Sequence, residues 1–324
     1  MGRRQSDING ILVVDKPGRT GAVVDPRALP TSHDVVQRVR RATGQRRIGH
    51  TGTLDPMADG VLVLCLGQAT RLVEYYQGHD KVYRAGITLG TATDTLDALG
   101  QVTDEQPVPA LDRAAVEAAL ARFRGPIDQV PPLFSALKRD GESLHRKARR
   151  GESVTLEARP VVIHELTLVD WMPPARLEIR LRCSAGTYVR SLARDLGRAL
   201  GTVAHLDALR REAAGPFTLA DAHALATIEE TAARGDIAAM LLPTGARLGL
   251  PVLRLDAETA TRVGHGQQVA LDSVPSGTTG DDQAWSAGSL AAAQNDDGDF
   301  LGVMRCLHRQ DEGRWVWKAE KWLA

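Results

Sequence analysis

The sequence has little cysteine and no long apolar segment. Cys65, Cys183 and Cys306 are far apart and form no CxxC pair, which argues against a disulfide framework and against a zinc site. The apolar runs fall well short of the ~18 residues that a membrane-spanning helix needs. The run Ile11-Leu12-Val13-Val14 is also too short for a signal peptide. We therefore predict a protein of the reducing cytoplasm without a membrane anchor.

A net charge is also lacking. The 40 Lys and Arg residues cancel the 40 Asp and Glu residues, so overall charge gives no support for nucleic-acid binding, and only local clustering can. The 324 residues exceed the ~100 to 200 of an ordinary domain, which indicates two domains. A Gly- and Pro-rich stretch at 243–251 predicts the boundary, with domains at 1–246 and 247–324.

Positive charge is concentrated in two segments. The first follows a predicted helix that begins near Thr31, buries Val35, Val36 and Val39, and ends at Gly44. Its other face and its exit contain no acid and carry Arg38, Arg40, Arg41, Arg46 and Arg47. The second segment, at 138–150, includes Lys138, Lys147, Arg149 and Arg150. Such runs are usually solvated surface, and RNA phosphates are the alternative partner.

The sequence GHTGTLDP at 49–56 lies between the first basic segment and an apolar strand at 61–66. Gly49, Gly52 and Pro56 supply or fix unusual backbone angles, which predicts a rigid, shaped loop. A residue before proline favours an extended backbone, so Asp55 should project from this loop. Asp55 is either a catalytic carboxylate or an acceptor for its own turn, and the local chemistry leaves both open.

Alternating and helical patterns predict the remaining elements of an α+β fold. In the strand at 81–89, Tyr83 shares a face with Lys81 and by default is a half-buried strand tyrosine. A helix from Thr187 places Tyr188 and Arg190 at an N-terminus, where an anion is favoured. The segment at 272–299 is polar and carries no predicted element. Strands are expected at 10–14, 161–169, 176–183, 300–306 and 314–318, and helices at 69–76, 111–123 and 253–263.

Six short segments, taken together, resemble the TruB family of tRNA pseudouridine synthases. Their order and spacing agree over about residues 8–215, and GHTGTLDP is the most specific of them. The resemblance implies a pseudouridine synthase fold with a mixed, mainly antiparallel central sheet, followed by a small β-rich, PUA-like RNA-binding domain. The segments are Asp15-Lys16-Pro17, 49–56, Lys81-Val82-Tyr83-Arg84, Ser135-Ala136-Leu137-Lys138, Gly186-Thr187-Tyr188-Val189-Arg190 and Leu209-Arg210-Arg211.

The resemblance also implies a reaction. The family isomerises a uridine in the T loop of tRNA, at the position numbered 55 in tRNA, to pseudouridine by base flipping, and it requires no metal or organic cofactor. The implied partner is the T-stem-loop of tRNA, with no obligatory protein partner and a monomeric enzyme. Asp55 matches the catalytic aspartate, acting as a nucleophile or as the group that promotes glycosidic cleavage. Arg190 matches the arginine that pairs with it, although a buried arginine can also be purely structural.

Further family positions carry over residue by residue. Tyr83 matches the tyrosine that stacks on the flipped base and offsets the unstacking cost of a few kcal/mol. His50 matches the histidine that holds the T loop, Tyr188 and Leu209 match residues of the uracil pocket, and Lys16 is expected in the same cleft. The resemblance assigns phosphate contacts to both basic segments. The residues expected to contact the RNA backbone are Arg38, Arg41, Arg46, Arg47, Lys138, Lys147, Arg149 and Arg150.

The sequence departs from the family pattern in two places, and two other functions remain open. Residues 18–30 form an insertion after Pro17, and the C-terminal region matches a PUA domain only faintly. One alternative is a metal-dependent hydrolase or phosphotransferase using Asp55 and Asp59, but the additional His or Asp ligands of such a site are missing. The other alternative is a protein that binds and folds tRNA on the same scaffold without catalysis.

Overall fold

A computed structural model describes most of the chain. It covers residues 8–19, 29–134, 156–271, 285–310 and 313–324, together with the backbone of two short strands at 138–139 and 142–143. The predicted RNA contacts Lys147, Arg149 and Arg150 lie outside the described residues, as does the side chain of Lys138.

The first part of the chain alternates strands and helices. Its strands are β1 (Gly10–Lys16), β2 (Ile48–His50), β3 (Asp59–Leu66), β4 (Lys81–Leu89), β5 (Thr91–Thr93), β6 (Val102–Glu105), β7 (Gly125–Gln129), β8 (Lys138–Arg139), β9 (Glu142–Ser143), β10 (Arg159–Met172), β11 (Arg176–Cys183), β12 (Ala204–Ala214), β13 (Phe217–Thr218) and β14 (His223–Ala224). Its α-helices are α1 (Ser32–Thr43), α2 (Val73–Gln77), α3 (Arg113–Ala121), α4 (Val189–Ala199) and α5 (Leu225–Arg234). Short 3₁₀ segments lie at Gly67–Leu72, Leu219–Asp221 and Ile237–Met240.

Helix α1 shows how local sequence fixes an element that supports the site. The Thr31 hydroxyl accepts from the Asp34 amide, and the Asp34 carboxylate accepts in return from the Thr31 amide, which forms a capping box. Gly44 ends the helix in the left-handed region. The predicted helix is confirmed. The predicted helix at 69–76 is confirmed in part, since its first turns are 3₁₀ and only α2 is α-helical.

The central sheet has the order β14-β1-β3-β12-β4-β11-β10-β7, with β2 paired to β3 and β13 to β12. Only the β1–β14 and β3–β12 pairs in it are parallel, so the described sheet is mixed and mainly antiparallel, as the resemblance implied. Strand β12 lies between β3 and β4. Its approach to β3 depends on Gly60, which has a φ of +98° and leaves no room for a Cβ against the Arg211 backbone.

Two apolar cores hold this sheet. The larger core lies between the sheet and helices α1, α3, α4 and α5, and includes Val35, Val116, Leu192 and Ile228. The smaller core lies on the other face of β1 and β3, where Ile11 packs in a cluster with residues of the C-terminal part of the chain, including Leu248 and Val303. Strands β1 and β3 are therefore buried on both faces.

The described residues of the C-terminal part form β15 (Val252–Arg254), α6 (Ala257–Gly264), β16 (Val269–Leu271), β17 (Leu290–Gln294), β18 (Phe300–Arg309) and β19 (Trp315–Trp322). The five strands make one sheet of order β15-β17-β18-β19-β16. The predicted hairpin is confirmed by β18 and β19, and the predicted helix by α6. The expectation of no element at 272–299 is wrong at Leu290–Gln294, where the small apolar residues of β17, such as Ala291 and Ala293, are fully buried. Residues 272–284 of that segment lie outside the described residues.

The α+β fold class with a β-rich C-terminal part is confirmed, and the domain boundary at 246/247 stays a prediction. Among the described residues, no helix has both the length and the apolar character that crossing a bilayer requires.

Candidate active site

A cavity of about 870 Å³ opens beside the Asp55 loop. Its walls come from the loop, from β4 and β12, from the segment after β5 and from the start of α4. Such a volume lies in the range of small-molecule and nucleotide pockets. The lining residues are Thr51, Gly52, Thr53, Leu54, Asp55, Pro56, Gln77, Lys81, Tyr83, Thr95, Asp97, Leu99, Phe134, Ser184, Ala185, Gly186, Thr187, Tyr188, Val189, Arg190, Leu209 and Arg211.

Asp55 and Arg190 form a two-point ion pair at this cavity. Arg190 Nε donates to Asp55 Oδ2 and Arg190 Nη2 to Asp55 Oδ1, both at 2.9 Å. The remaining guanidinium bonds go to the backbone carbonyls of Thr95 and Phe134, both at 3.0 Å. The Arg190 side chain is only 6% exposed, whereas that of Asp55 is 28% exposed. The arginine is thus fixed by the fold, and the carboxylate it holds faces the cavity.

A second carboxylate, Asp97, lies behind the pair, and the sequence did not single it out. Its Oδ2 is 3.7 Å from Arg190 Nε. Its Oδ1 accepts from the Thr95 hydroxyl at 2.7 Å and from the Leu99 amide at 3.0 Å. Burial raises the pKa of Asp97, and the Thr95 hydrogen bond and Arg190 oppose that rise. Arg190 therefore lies between two carboxylates.

Two buried side chains brace the loop from below. The Ser32 hydroxyl accepts from the Leu54 amide at 2.8 Å and donates to the Leu54 carbonyl at 3.1 Å. Lys16 Nζ donates to the carbonyls of Pro17, Pro56 and Ala58 at 2.9, 3.0 and 2.7 Å. Burial lowers the pKa of Lys16 to about 8, with Asp59 and Asp55 opposing the shift.

The position of Lys16 corrects the expectation that it serves the cleft. It is fully buried and is not among the residues that line the cavity. Its ammonium group instead ties β1 to the loop carbonyls on either side of Met57.

Tyr83 and two cations line the opposite wall. Tyr83 is 9% exposed, and burial raises the pKa of its hydroxyl, while the charge of Arg211 and its hydrogen bond to the hydroxyl work against that rise. Arg211 also donates to the carbonyls of Val61 at 2.7 Å and Gly52 at 3.0 Å. Lys81, two residues before Tyr83, lines the same wall. Both cations lie in segments that carried the family resemblance, but neither was assigned a role from the sequence.

Tyr188 and Leu209 line the cavity, and Tyr188 is set by a residue that the sequence missed. The Gln129 side-chain oxygen accepts from the Tyr188 amide at 2.8 Å, and its nitrogen donates to the Tyr188 carbonyl at 3.1 Å. Helix α4 accordingly begins at Val189, two residues later than the predicted start. No local signal in the sequence pairs positions 129 and 188.

His50 lies on β2, at the entry to the loop, but does not line the cavity. Burial lowers its pKa, and the nearby charges of Arg211 and His33 add to the shift. The imidazole is therefore neutral at neutral pH. Its Nδ1 is buried without a hydrogen-bond partner among the described residues. His50 would therefore contact a bound RNA from outside the cavity.

The first basic segment is divided by the structure. Arg38 is not a free surface charge, since its Nε and Nη2 donate to the carboxylate of Glu229 on α5 at 2.8 and 2.6 Å. This corrects the expectation of a patch without acids. Arg41, Arg46 and Arg47 are exposed, and none of them forms an ion pair within the part of the chain that the structure describes. We call these three residues the basic surface.

Asp59, the second carboxylate of the metal-dependent alternative, is occupied elsewhere. It accepts from Arg210 at 2.9 Å, and Arg210 also contacts Asp15 at 3.1 Å. Across residues 8–19, 29–134 and the later described ranges, no three His, Cys, Asp or Glu side chains are placed to hold a metal ion. The described residues therefore offer no donor set for that alternative.

Solved structures share this fold. The chain superimposes with a TM-score of 0.71 at 21% identity on a structure entitled "Structure of H/ACA RNP bound to a substrate RNA containing 2'-deoxyuridine", covering 97% of this chain and 85% of the other. A "Crystal Structure of a Cbf5-Nop10-Gar1 Complex" gives 0.72 at 23% identity, with 97% and 84% covered. At such identities the likeness shows the fold alone.

Sequence comparisons give the family. Residues 40–189 match the "TruB family pseudouridylate synthase (N terminal domain)", and residues 190–248 match the "tRNA pseudouridylate synthase B C-terminal domain". A "tRNA pseudouridine synthase B" of Symbiobacterium thermophilum is 49% identical, covering 82% of this chain and 85% of the relative. One of Thermobifida fusca is 46% identical, with 84% and 89% covered. The chain belongs to the TruB family of pseudouridine synthases and is an isomerase.

Proposed function

We propose that the protein converts uridine to pseudouridine in the T loop of tRNA, at the position numbered 55 in tRNA. The relatives carry the name tRNA pseudouridine synthase B, which supports tRNA as the substrate. The observation that carries the proposal is the Asp55 carboxylate, gripped at both oxygens by Arg190 and facing a nucleotide-sized cavity opposite Tyr83.

A flipped uridine fits the chemistry of this cavity. Extruding a base costs a few kcal/mol, and stacking on an aromatic ring offsets part of that cost. Tyr83 supplies the ring, while Tyr188 and Leu209 form further walls. His50, at the rim, is proposed to hold the T loop from outside the cavity.

Asp55 is the proposed reacting group. It acts as a nucleophile on the sugar or as the carboxylate that promotes glycosidic cleavage, and either role needs its oxygens in a fixed direction. The two parallel hydrogen bonds from Arg190 supply that direction. Because Arg190 is itself anchored to two backbone carbonyls, the pair does not have to reorganise during the reaction.

The basic surface is the proposed contact for RNA phosphates. Arg41, Arg46 and Arg47 are exposed beside the strand that leads into the loop, so phosphate binding there would bring the T loop to the cavity. Contacts by Lys138, Lys147, Arg149 and Arg150 stay predictions. So do the RNA-binding role of the C-terminal domain and a cytoplasmic monomer that works without a cofactor or protein partner.

Replacement of Asp55 by Asn tests the proposal. We expect Asp55→Asn to lower the single-turnover rate of pseudouridine formation in a T-stem-loop RNA by about 10⁴-fold or more, with RNA affinity within about threefold of wild type. The control is Asp59→Asn, which alters a carboxylate bound to Arg210 and is expected to keep most of the activity.

Two outcomes would contradict the proposal. Wild-type rates in the Asp55→Asn protein would remove the carboxylate from the reaction. A wild-type protein that binds the RNA without converting it would favour the alternative of a tRNA-binding and tRNA-folding protein on this scaffold.

A further inference from the structure

Two buried cations face the cavity without a carboxylate partner. Lys81 is 7% exposed and Arg211 is 2% exposed, and both line the cavity. Among the described residues their partners are backbone carbonyls and the Tyr83 hydroxyl. Burying a charge costs several kcal/mol unless something compensates it. Two buried cations that have dipolar but no anionic partners among the described residues therefore indicate a role for their charge in the cavity.

Lys81 lines the same cavity as Asp55 and keeps a hydrogen-bond donor unused. Its ammonium donates to the carbonyls of Gln77 at 2.6 Å and His79 at 2.5 Å, which leaves one of its three N–H bonds. A Cβ on Gly52 would lie 3.9 Å from Lys81 Cε and 3.7 Å from Arg211 Nη1. Both cations thus flank the loop three residues before Asp55.

The charged groups around Lys81 do not neutralise it. Its neighbour Asp80 is engaged by Arg182 at 2.9 Å and His164 at 3.2 Å. The Cys183 thiol across the sheet is neutral, because burial raises its pKa to about 11. Asp55 is held by Arg190. Burial lowers the pKa of Lys81 to about 8, and Arg211 contributes to the same shift.

We propose that Lys81, supported by Arg211, stabilises the negative charge that the uracil ring acquires when it separates from the ribose. The inference rests on the proposed function. Cleavage of the C1′–N1 bond leaves its electron pair on the ring, spread over N1, O2 and O4, while Asp55 stabilises the electron-deficient sugar. A new bond from C5 to C1′ uses that pair, the C5 proton leaves, and N1 gains a proton. The product is an isomer of the substrate, so no further reactant is needed.

The ammonium stabilises the separated state more than the bound uridine. The intact base is neutral, so a fixed cation interacts with it weakly. The detached ring carries a full charge beside two cations that are themselves largely buried, where the interaction is stronger than in bulk water. Arg211 places a second, permanent positive charge on the same wall and holds the Tyr83 hydroxyl.

The test compares Lys81→Met and Lys81→Arg with wild type. Single-turnover pseudouridine formation and affinity for a T-stem-loop RNA are measured from pH 6 to about 10. Removing one such donor typically costs roughly 10² to 10³-fold in rate, which is the loss expected for Lys81→Met, with affinity within about threefold. Lys318→Met, which removes an exposed lysine of β19, should match wild type.

The pH profile distinguishes this role from a structural one. An ammonium is charged below its pKa, so the wild-type rate should fall as pH rises through about 8. A guanidinium stays charged over this range, so the rate of Lys81→Arg should not fall as pH rises through about 8. The rate of Lys81→Met should be low at every pH and should show no such fall. Thermal melting of each protein checks that it is folded. If Lys81→Met does not fold, the comparison of the pH–rate profiles of wild type and Lys81→Arg still tests the proposal.

The inference is overturned if the single-turnover rate of Lys81→Met is within about threefold of wild type. It is also overturned if the rate of Lys81→Arg falls with rising pH at the same midpoint as the wild-type rate. A failure of the proposed function is separate, because it would appear as wild-type protein that does not convert the RNA at all.

Discussion

The arginines and lysine of the cavity differ from those of the basic surface in how their charges are held. Arg190, Arg211 and Lys81 are at most 7% exposed and are anchored by backbone carbonyls or by Asp55. Arg41, Arg46 and Arg47 are exposed. Charges in water are screened within about 10 Å at ordinary salt, and buried charges much less. The inner charges can therefore act on chemistry, and the outer ones on encounter with RNA.

Arg38 shows that a position in the first basic segment does not by itself make an arginine part of the basic surface. It lies on the same helix as Arg41, yet its guanidinium is matched to Glu229. This ion pair joins α1 to α5, and we expect Arg38 to contribute little to RNA binding.

Among the substitutions that test this comparison, Arg190→Lys is expected to have the largest effect on activity. A lysine has one ammonium group and cannot bind both Asp55 oxygens and two carbonyls at once. We expect a rate about 10²-fold lower, RNA affinity close to wild type, and the same loss at low and high salt. A loss that disappears at high salt would show that Arg190 acts as a surface charge, and the comparison would fail.

The basic surface should affect affinity and not the rate. Changing Arg41, Arg46 and Arg47 together to Gln is expected to weaken binding of the T-stem-loop roughly 10-fold or more at low salt, and to flatten the slope of log affinity against log salt by about 2. The single-turnover rate at saturating RNA should be unchanged. Arg38→Gln is the matched control, with little change in the slope. An unchanged slope in the triple variant would place the RNA elsewhere.

Ser32→Ala is expected to act mainly on stability. The change leaves the buried Leu54 amide without its acceptor, which costs about 1 to 3 kcal/mol in the free energy of unfolding. Chemical denaturation measures this, and the rate should fall less than for Arg190→Lys. Thr261→Ala removes an exposed helix hydroxyl and should cost less than about 0.5 kcal/mol. Equal costs would show that Ser32 does not brace the loop.

Local signals in the sequence predicted most of the elements. Thr31 and Gly44 mark both ends of α1, and the alternation at 81–89 and 176–183 predicts β4 and β11. These signals succeed because caps and strand faces depend on neighbours a few residues away. The start of α4 was misplaced because Gln129 fixes it from another part of the chain.

The site was less predictable, because its contacts join distant positions. Asp55 was singled out from its own loop, but the partners of Arg211, Lys81 and Ser32 are backbone groups, and backbone groups leave no pattern in a sequence. The same holds for Lys16, whose partners include the Ala58 carbonyl. Arg38 was misplaced because its carboxylate partner, Glu229, is 191 positions away in the chain.

The position of β12 has a consequence for how the protein is made. Strands β3 and β4 follow one another in the chain, but β12, which is synthesised much later, separates them in the sheet. A growing chain therefore cannot form the native pairings of β3 and β4 with β12 until residues 204–214 have left the ribosome. Such distant pairings fold slowly and leave strand edges open meanwhile. Because Leu209 and Arg211 arrive with that strand, the nascent protein can contain Asp55 long before it contains a complete active site.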